Sequence, residues 1–313
     1  MWSKSTIVDS SADVGYYASI AVDRSGKAAI SYYDNTNSGL KYAQFDGASW
    51  SNQNIDIKKA VGTHTSLGFD AFGNAYIAYY KKSGGQLKLA TQARDANTWG
   101  LEIVESGGAG ERASIAVSQG KIGTNSFNFS VYTPTVAIAY ANETTGAIQY
   151  ARHFLSTGET WNIFNVTTLA PGTVGPIDFK LHFGPTSDST TPSQAQLVFQ
   201  DASSADVMYA YKNGTTATGS FVVETVASTG KLGDRVQLGF DSSNRPAVTY
   251  YNRTKKAFYG ALRSAGANGT WSIQGQIATG AGPLSLAFND RTSDSLTTWL
   301  NRPKDAVYSA VLI

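Results

Sequence analysis

Side chains that can bind or react recur at one place in a long repeat. Tyr17, His64 and Arg112 follow one another at intervals of 47 and 48 residues, and Asp178 and Arg235 follow at intervals of 66 and 57. Arg donates paired hydrogen bonds to carboxylates, a neutral His accepts a proton, and Tyr combines a flat apolar face with a hydroxyl group. These residue types suit the binding of a polar ligand, or acid–base chemistry on it.

A second group of aromatic residues ends the apolar run that follows each of these positions. Its members are Tyr33, Tyr80, Tyr251 and Trp299. The other tryptophans share a different repeat position, at the start of a later run, where packing is the expected role: Trp2, Trp50, Trp99, Trp161 and Trp271. Trp299 is therefore the tryptophan that we expect to contact a ligand.

The elements that position these residues are short strands in a six-fold repeat. Each copy has four strand signals, the second ending in aromatics and the fourth opening with Trp or Phe, with Gly, Asn and Asp turns between them. In the turns after the first strand, Asp23, Asp70 and Asp241 precede Gly26, Gly73 and Asn244, and the Asp is expected to accept backbone N–H bonds. Two copies are longer, and their excess residues, 118–134 and 184–194, are predicted to be loops on one face.

Radial repetition of four-stranded sheets predicts an all-β chain that folds as a six-bladed β-propeller with antiparallel blades. The sixth copy stops after its third strand, and residues 2–8 supply the missing fourth strand pattern. We therefore expect residues 1–313 to form a single propeller domain in which blade 6 combines about 281–313 with 1–9. In a propeller the first strands line the central channel, so the two groups of residues are expected to meet at one mouth of it.

Composition excludes several classes of function. Charged residues are 15% of the chain and the formal net charge is +2, so no nucleic-acid partner is expected. Cysteine is absent, the three histidines share no metal-ligand spacing, and we expect neither metal nor cofactor. No apolar run is long enough for membrane insertion. The expected location is extracellular or at the cell surface, with any signal peptide missing from this chain.

The repeat resembles the six-bladed propeller repeats of exported bacterial proteins. The turns at 46–50, 156–161 and 266–271 are similar to degenerate Asp-boxes, which sialidases and many non-enzymatic propellers carry, and which mark the fold rather than a reaction. Length and terminal closure also resemble the six-bladed fucose-binding lectins. The resemblance implies a lectin-like or sialidase-like architecture over the whole chain.

The expected function is recognition of a glycan or cell-surface polymer at the channel mouth by a monomeric, adhesin-like module. Arg112 and Arg235 are suited to an acidic sugar or a peptide carboxylate. One alternative is an enzyme that degrades polysaccharides, a lyase or glycosidase at the same mouth, in which His64 and a Tyr act as base and acid. Another alternative is a scaffold that binds a protein partner. The sequence carries no motif for an activated nucleophile, so catalysis stays open, with a non-enzymatic role favoured.

Overall fold

The computed structural model describes most of the chain. It covers residues 6–58, 60–124, 130–154, 160–182, 194–212, 220–241, 243–266, 268–279, 284–288, 295–301 and 306–312. Side chains are described for these residues except 119–124, 130–134, 182, 234, 278 and everything from 284 onward. Strands connected by turns make up this described part of the chain, and no helix within it is long and apolar enough to cross a membrane.

The strands form six sheets, each made of strands consecutive in sequence, which we number as blades 1 to 6. Blade 1 contains β1 (Val14–Val22), β2 (Ala28–Asp34), β3 (Gly39–Phe45) and β4 (Trp50–Asp56). Blade 2 contains β5 (Val61–Phe69), β6 (Ala75–Lys81), β7 (Gln86–Gln92) and β8 (Gly100–Glu105). Blade 3 contains β9 (Ala109–Thr124), β10 (Ser130–Asn142), β11 (Ala147–Phe154) and β12 (Asn162–Thr168).

The later blades repeat this order. Blade 4 contains β13 (Val174–His182), β14 (Gln194–Asp201), β15 (Asp206–Lys212) and β16 (Phe221–Ala227). Blade 5 contains β17 (Leu232–Phe240), β18 (Pro246–Asn252), β19 (Ala257–Arg263) and β20 (Trp271–Thr279). Blade 6 contains three described strands, β21 (Leu284–Phe288), β22 (Ser295–Asn301) and β23 (Ala306–Leu312). Residues 1–5, which hold most of the expected closing strand, lie outside the described part.

The chain divides into two compact units. One contains residues 1–144 and 149–164, and the other contains residues 145–148 and 165–313. Blades 1 and 2 and most of blade 3 belong to the first unit, and blades 4 to 6 belong to the second.

Apolar cores lie between neighbouring blades inside each unit. Ile77 of blade 2 packs with Leu40 of blade 1, and Leu89 of blade 2 packs with Ile138 of blade 3. Each buried side chain of this size contributes about 1.5–3 kcal/mol relative to an exposed one. The second strands read as almost continuous apolar runs because they are covered on both faces. Trp99, Trp161 and Trp271 pack at the edges of such cores, as expected for their repeat position.

A carboxylate at the end of one blade's outer strand also joins it to the next blade. Asp56 of β4 accepts a hydrogen bond from the Tyr79 hydroxyl at 2.9 Å and forms an ion pair with Lys88, both in blade 2. Asp9, 47 residues earlier, holds the same place before blade 1, with Tyr32 at 2.7 Å and Lys41 at 2.6 Å. The segment at Asp9 therefore contacts blade 1 as the end of an outer strand contacts the following blade.

The turns after the first strands confirm the prediction for the aspartates. In each turn, one carboxylate oxygen of the Asp accepts hydrogen bonds of 2.8–2.9 Å from two backbone N–H groups. The donors are Ser25 and Lys27 for Asp23, Phe72 and Asn74 for Asp70, and Ser243 and Arg245 for Asp241.

The loop prediction for 118–134 is wrong over its described residues. β9 and β10 continue as a paired hairpin to Thr124 and Ser130, and Val131, Tyr132 and Thr133 within it are residue types that favour strands. Of 184–194, residues 184–193 lie outside the described part and Gln194 begins β14.

Candidate functional site

The site is built on an irregularity at the start of each first strand. Between Val14 and Ser19, β1 advances five residues while β2 advances three, from Asp34 to Ser31. Blades 2 and 3 have the same excess, which is a β-bulge. Within the bulges, Tyr17, His64 and Arg112 take the left-handed backbone conformation, with φ of 53°, 52° and 56°. For side chains of this size that conformation costs about 1–3 kcal/mol, and residues strained in this way cluster at functional sites.

A glycine two residues earlier makes each bulge possible. Gly62 and Gly110 have φ of 99° and 110°, and a Cβ on either would lie 2.7 Å from the Cα of Leu40 or Leu87 in the preceding blade. Only glycine therefore allows this close approach of blade to blade. The Thr65 hydroxyl donates to the carbonyl oxygen of Tyr17 at 2.9 Å, which fixes the bulge of blade 1 against blade 2.

The structure brings four of the predicted aromatic and imidazole rings together. The ring centroids of Tyr17 and His64 are 4.6 Å apart. Tyr33 lies 6.3 Å from Tyr17, and Tyr80 lies 6.4 Å from His64, both edge-on. Tyr17 is 49% exposed whereas Tyr80 is buried. A ligand can therefore reach the Tyr17 ring, while Tyr80 packs inside the protein.

Charged groups adjoin this row on the side of blade 3. The Arg112 Nε lies 3.4 Å from Glu143 Oε1, and that nitrogen, although buried, makes no hydrogen bond to any described residue. Glu111 lies close enough to Glu143 and Arg112 for the charges of both to act on its carboxyl group. Burial raises the pKa of Glu111, and the Glu143 charge raises it further, while Arg112 and Lys82 act in the opposite direction.

The surroundings also set the protonation of His64 and Tyr80. Burial, followed by the positive charge of Arg112, lowers the pKa of His64 from 6.5 to about 4, so its imidazole is neutral at neutral pH. Burial and the charges of Glu111 and Glu143 raise the pKa of Tyr80, so its phenol keeps its proton. A neutral base and a protonated hydroxyl thus stand beside a guanidinium.

The equivalence assumed for Asp178 is wrong by two residues. Asp178 pairs with Val198 as Ser19 pairs with Ser31, so it takes the place of Ser19 rather than that of Tyr17. Its carboxylate accepts the Leu238 N–H of blade 5 at 2.8 Å, much as the Ser19 hydroxyl accepts the Leu67 N–H at 3.1 Å. The bulge of blade 4 is one residue shorter, because four residues of β13 face three of β14. Asp178 therefore joins two blades in the structure, and its role in binding rests on sequence alone.

The remaining predicted residues lie in the second unit. Arg235 is half-buried in β17 and follows Gly233, whose φ is 84°. Tyr251 is 6% exposed and packs against Phe258 of its own blade, with ring centroids 5.0 Å apart. Trp299 lies in β22, opposite Leu284 and Tyr308, and its side chain is outside the described part. The binding roles of these residues, like those of Tyr17, Tyr33, His64, Tyr80 and Arg112, stay predictions.

Sequence reasoning missed two members of the charged group, Lys82 and Glu143. Each residue directly follows the second strand of its blade. The Lys82 N–H donates to the carbonyl oxygen of Ala60 at 3.0 Å, and the Glu143 N–H donates to that of Gly108 at 3.1 Å, and both acceptors directly precede the first strand of the same blade. The position just after each second strand was the signal that would have identified both. Among the described residues, no group of three or more His, Asp or Glu side chains is placed to hold a metal ion.

Comparisons by sequence find no relatives. No protein-family model matches the chain, and no curated protein matches it.

Comparisons by structure identify the fold. The fucose-recognising lectin of the fungus Aleuria aurantia, described as a six-bladed β-propeller, aligns with a TM-score of 0.54 at 13% identity, over 95% of this chain and 90% of the lectin. The intramolecular trans-sialidase of Ruminococcus gnavus aligns with a TM-score of 0.54 at 8% identity, over 96% and 94%. A polysaccharide lyase described as an ulvan lyase aligns with a TM-score of 0.56 at 12% identity, over 95% and 78%. The chain has the six-bladed β-propeller fold, as the repeat predicted.

Proposed function

We propose that this protein is a carbohydrate-recognition module whose binding site is the row formed by Tyr17, His64 and Arg112. The observation that carries the proposal is the left-handed backbone shared by these three bulky residues on consecutive blades. A strained conformation repeated where the side chains form one row is best explained by a requirement on those side chains.

The chemistry of the row suits a sugar. The exposed Tyr17 ring, which lies tilted against His64, offers a flat apolar face for the C–H groups of a pyranose. Arg112, Glu143 and Glu111 supply donors and acceptors at one end of that face for ring substituents. Aromatic walls with a few convergent polar groups are the usual form of a small-ligand site.

The likeness to lectins, a sialidase and a lyase supports a glycan as the ligand, although likeness at this level of identity establishes the fold alone. A glycan ligand also suits an extracellular or cell-surface location, which we propose with it. We further propose that the protein acts as a monomer.

One observation favours a second function, that of a uronate-polymer lyase. A neutral imidazole close to the Arg112 charge has the chemistry that a lyase base requires, and this supports the alternative. Arg112 would neutralise the uronate carboxylate and His64 would take the proton from the adjacent ring carbon. A double bond would then form as the glycosidic oxygen leaves with its electron pair and takes a proton from the Tyr80 hydroxyl. This reaction adds nothing to the ring, so it needs no co-reactant.

A glycan array tests the proposal with Tyr17→Asn, since Asn tolerates a left-handed backbone better than most residues. We expect the wild type to bind a defined set of glycans, and Tyr17→Asn to bind them at least about tenfold more weakly, the effect of removing an aromatic anchor. Phe72→Ala removes another exposed aromatic residue, 58% exposed in a turn of blade 2, and is the matched control.

The outcomes separate the functions. Binding that Tyr17→Asn abolishes and Phe72→Ala preserves supports the recognition module. Release of unsaturated uronates from an acidic polysaccharide, lost in His64→Asn, would replace it with the lyase. An array without bound glycan and an assay without turnover would refute both and leave the protein-partner alternative.

A further inference from the structure

The charged group beside the aromatic row indicates the class of sugar. We propose that the site selects a carboxylate-bearing sugar, whose carboxylate is bound by Arg112. This inference rests on the proposed function, because it assigns a ligand class to the same row of residues.

The hydrogen bonding of Arg112 is the first argument. Its Nε is buried and donates to no described residue, with the nearest carboxylate oxygen, Glu143 Oε1, at 3.4 Å. A buried donor without an acceptor costs about 1–3 kcal/mol, so Glu143 does not fully satisfy this guanidinium. The Arg112 side chain as a whole is 35% exposed. Because Nε is buried, the exposed surface belongs to its other atoms, which solvent and a ligand can reach. A planar carboxylate matches the planar guanidinium better than a hydroxyl does.

The second argument is the balance of charge around Arg112. The residues contributing are Lys82, Arg112, Glu111, Glu143 and His64. Arg112 and Lys82 supply two positive charges here, and His64 is neutral at neutral pH. Burial and the charge of Glu143 raise the pKa of Glu111, so Glu111 is the carboxyl group that would take up a proton as an anionic ligand binds. The positive charge of Arg112 and Lys82 is thereby available to a ligand carboxylate.

The third argument is the position of the guanidinium relative to the aromatic face. Arg112 lies close enough to His64 for its charge to lower the pKa of the imidazole, and the His64 ring lies 4.6 Å from the Tyr17 ring, tilted by 45°. A pyranose ring on Tyr17 and His64 thus has its edge toward Arg112. Because the Arg112 backbone is fixed in a bulge, the carboxylate position is set by the fold.

Titration calorimetry on the full chain tests the inference with ligands that differ in charge alone. The first pair is an oligogalacturonate and its methyl ester, which keeps the ring and removes the charge, and the second pair is sialyllactose and its methyl ester. We expect at least one acidic sugar to bind about tenfold or more tightly than its neutral partner, the size of one charge-assisted hydrogen-bond set. The pair that shows the difference distinguishes a uronic acid from a nine-carbon acidic sugar.

Variants assign that difference to Arg112. Arg112→Gln should remove the preference for the acid, and Arg112→Lys, which keeps the charge without the planar fork, should retain part of it. Arg94→Gln removes an equal charge from a side chain that is 65% exposed in a turn of blade 2, and should leave the preference intact. The two Arg112 variants together guard against loss of folding in either one.

Each other outcome overturns the inference in a recognisable way. Equal binding of acid and neutral partner, or a preference that survives Arg112→Gln, removes the acidic ligand and leaves the recognition module. If neutral glycans bind on the array and no acidic sugar binds in the calorimeter, the acidic ligand is again ruled out and the recognition module stands. Binding of nothing in either experiment refutes the proposed function itself.

Discussion

At the scale of single residues, the site combines strain with altered protonation. Tyr17, His64 and Arg112 hold a left-handed backbone that glycine would adopt more easily, and His64 is half-buried next to a positive charge. Both features oppose stability, and both follow from where the bulge directs the side chains. The stability of the protein should therefore depend on pH through His64.

The sign of that dependence follows from the two pKa values of His64. The group titrates at about 4 in the folded protein and at 6.5 when it is unfolded, so the unfolded chain binds the extra proton between these values. The free energy of unfolding is thus fully retained above about pH 6.5, and falls as the pH drops toward about 4. The whole effect is about 3 kcal/mol, from 1.36 kcal/mol for each unit of pKa.

Urea unfolding across this range measures the effect. His64→Asn, which keeps a residue tolerant of the left-handed backbone, should flatten the dependence over that window. The same substitution at His153 of blade 3 leaves His64 in place, and should keep the slope. A slope unchanged in His64→Asn would show that the His64 imidazole is not its source.

At the scale of elements, neighbouring blades depend on buried acidic groups at the ends of outer strands. Asp56 is 2% exposed and faces Tyr79 and Lys88 of the next blade. Burial by itself would raise the pKa of Asp56, but the hydrogen bonds from Lys88 and Tyr79 lower it below its usual range. Asp9 and Glu105 take the same place before blades 1 and 3.

Asp56→Ala should therefore destabilise the protein by about 3–5 kcal/mol, because it leaves the buried Lys88 charge without its partner. Asp95→Asn, at a side chain that is 82% exposed, should change the free energy of unfolding little. In Asp56→Asn with Lys88→Met, removal of both charges should restore part of the loss. A double variant as unstable as Asp56→Ala would mean that the unpaired Lys88 charge is not the cause of the loss.

The same scale shows what the sequence could predict. Strand order, turns and the core followed from a repeat in which each apolar run faces a neighbouring blade. The register of blade 4 could not be predicted from the repeat, because a shift of two residues keeps the same side chains on each face of the strand. Phe179 and Leu181 therefore fitted the pattern in either register. The hairpin of β9 and β10 was missed because its Ser and Asn content resembles a loop, whereas pairing decides its structure.

At the scale of the whole molecule, the six copies of the repeat account for the fold. The function has to be inferred from the few residues that differ from their equivalents in the other copies. Arg112 and His64 were found because they differ from their equivalents, whereas Glu143 was missed because it comes from the end of a different strand. We propose that residues 1–313 form one domain, closed by residues 1–9 in blade 6. The place of Asp9 before blade 1, equivalent to that of Asp56 before blade 2, supports this proposal.

A crystal structure of the protein with the tightest-binding sugar from the array tests the central claim most directly. Our account predicts density for a sugar ring over Tyr17 and His64, with a carboxylate within hydrogen-bond distance of the Arg112 guanidinium. A sugar bound elsewhere on the protein, with these three side chains in contact with solvent alone, would contradict it.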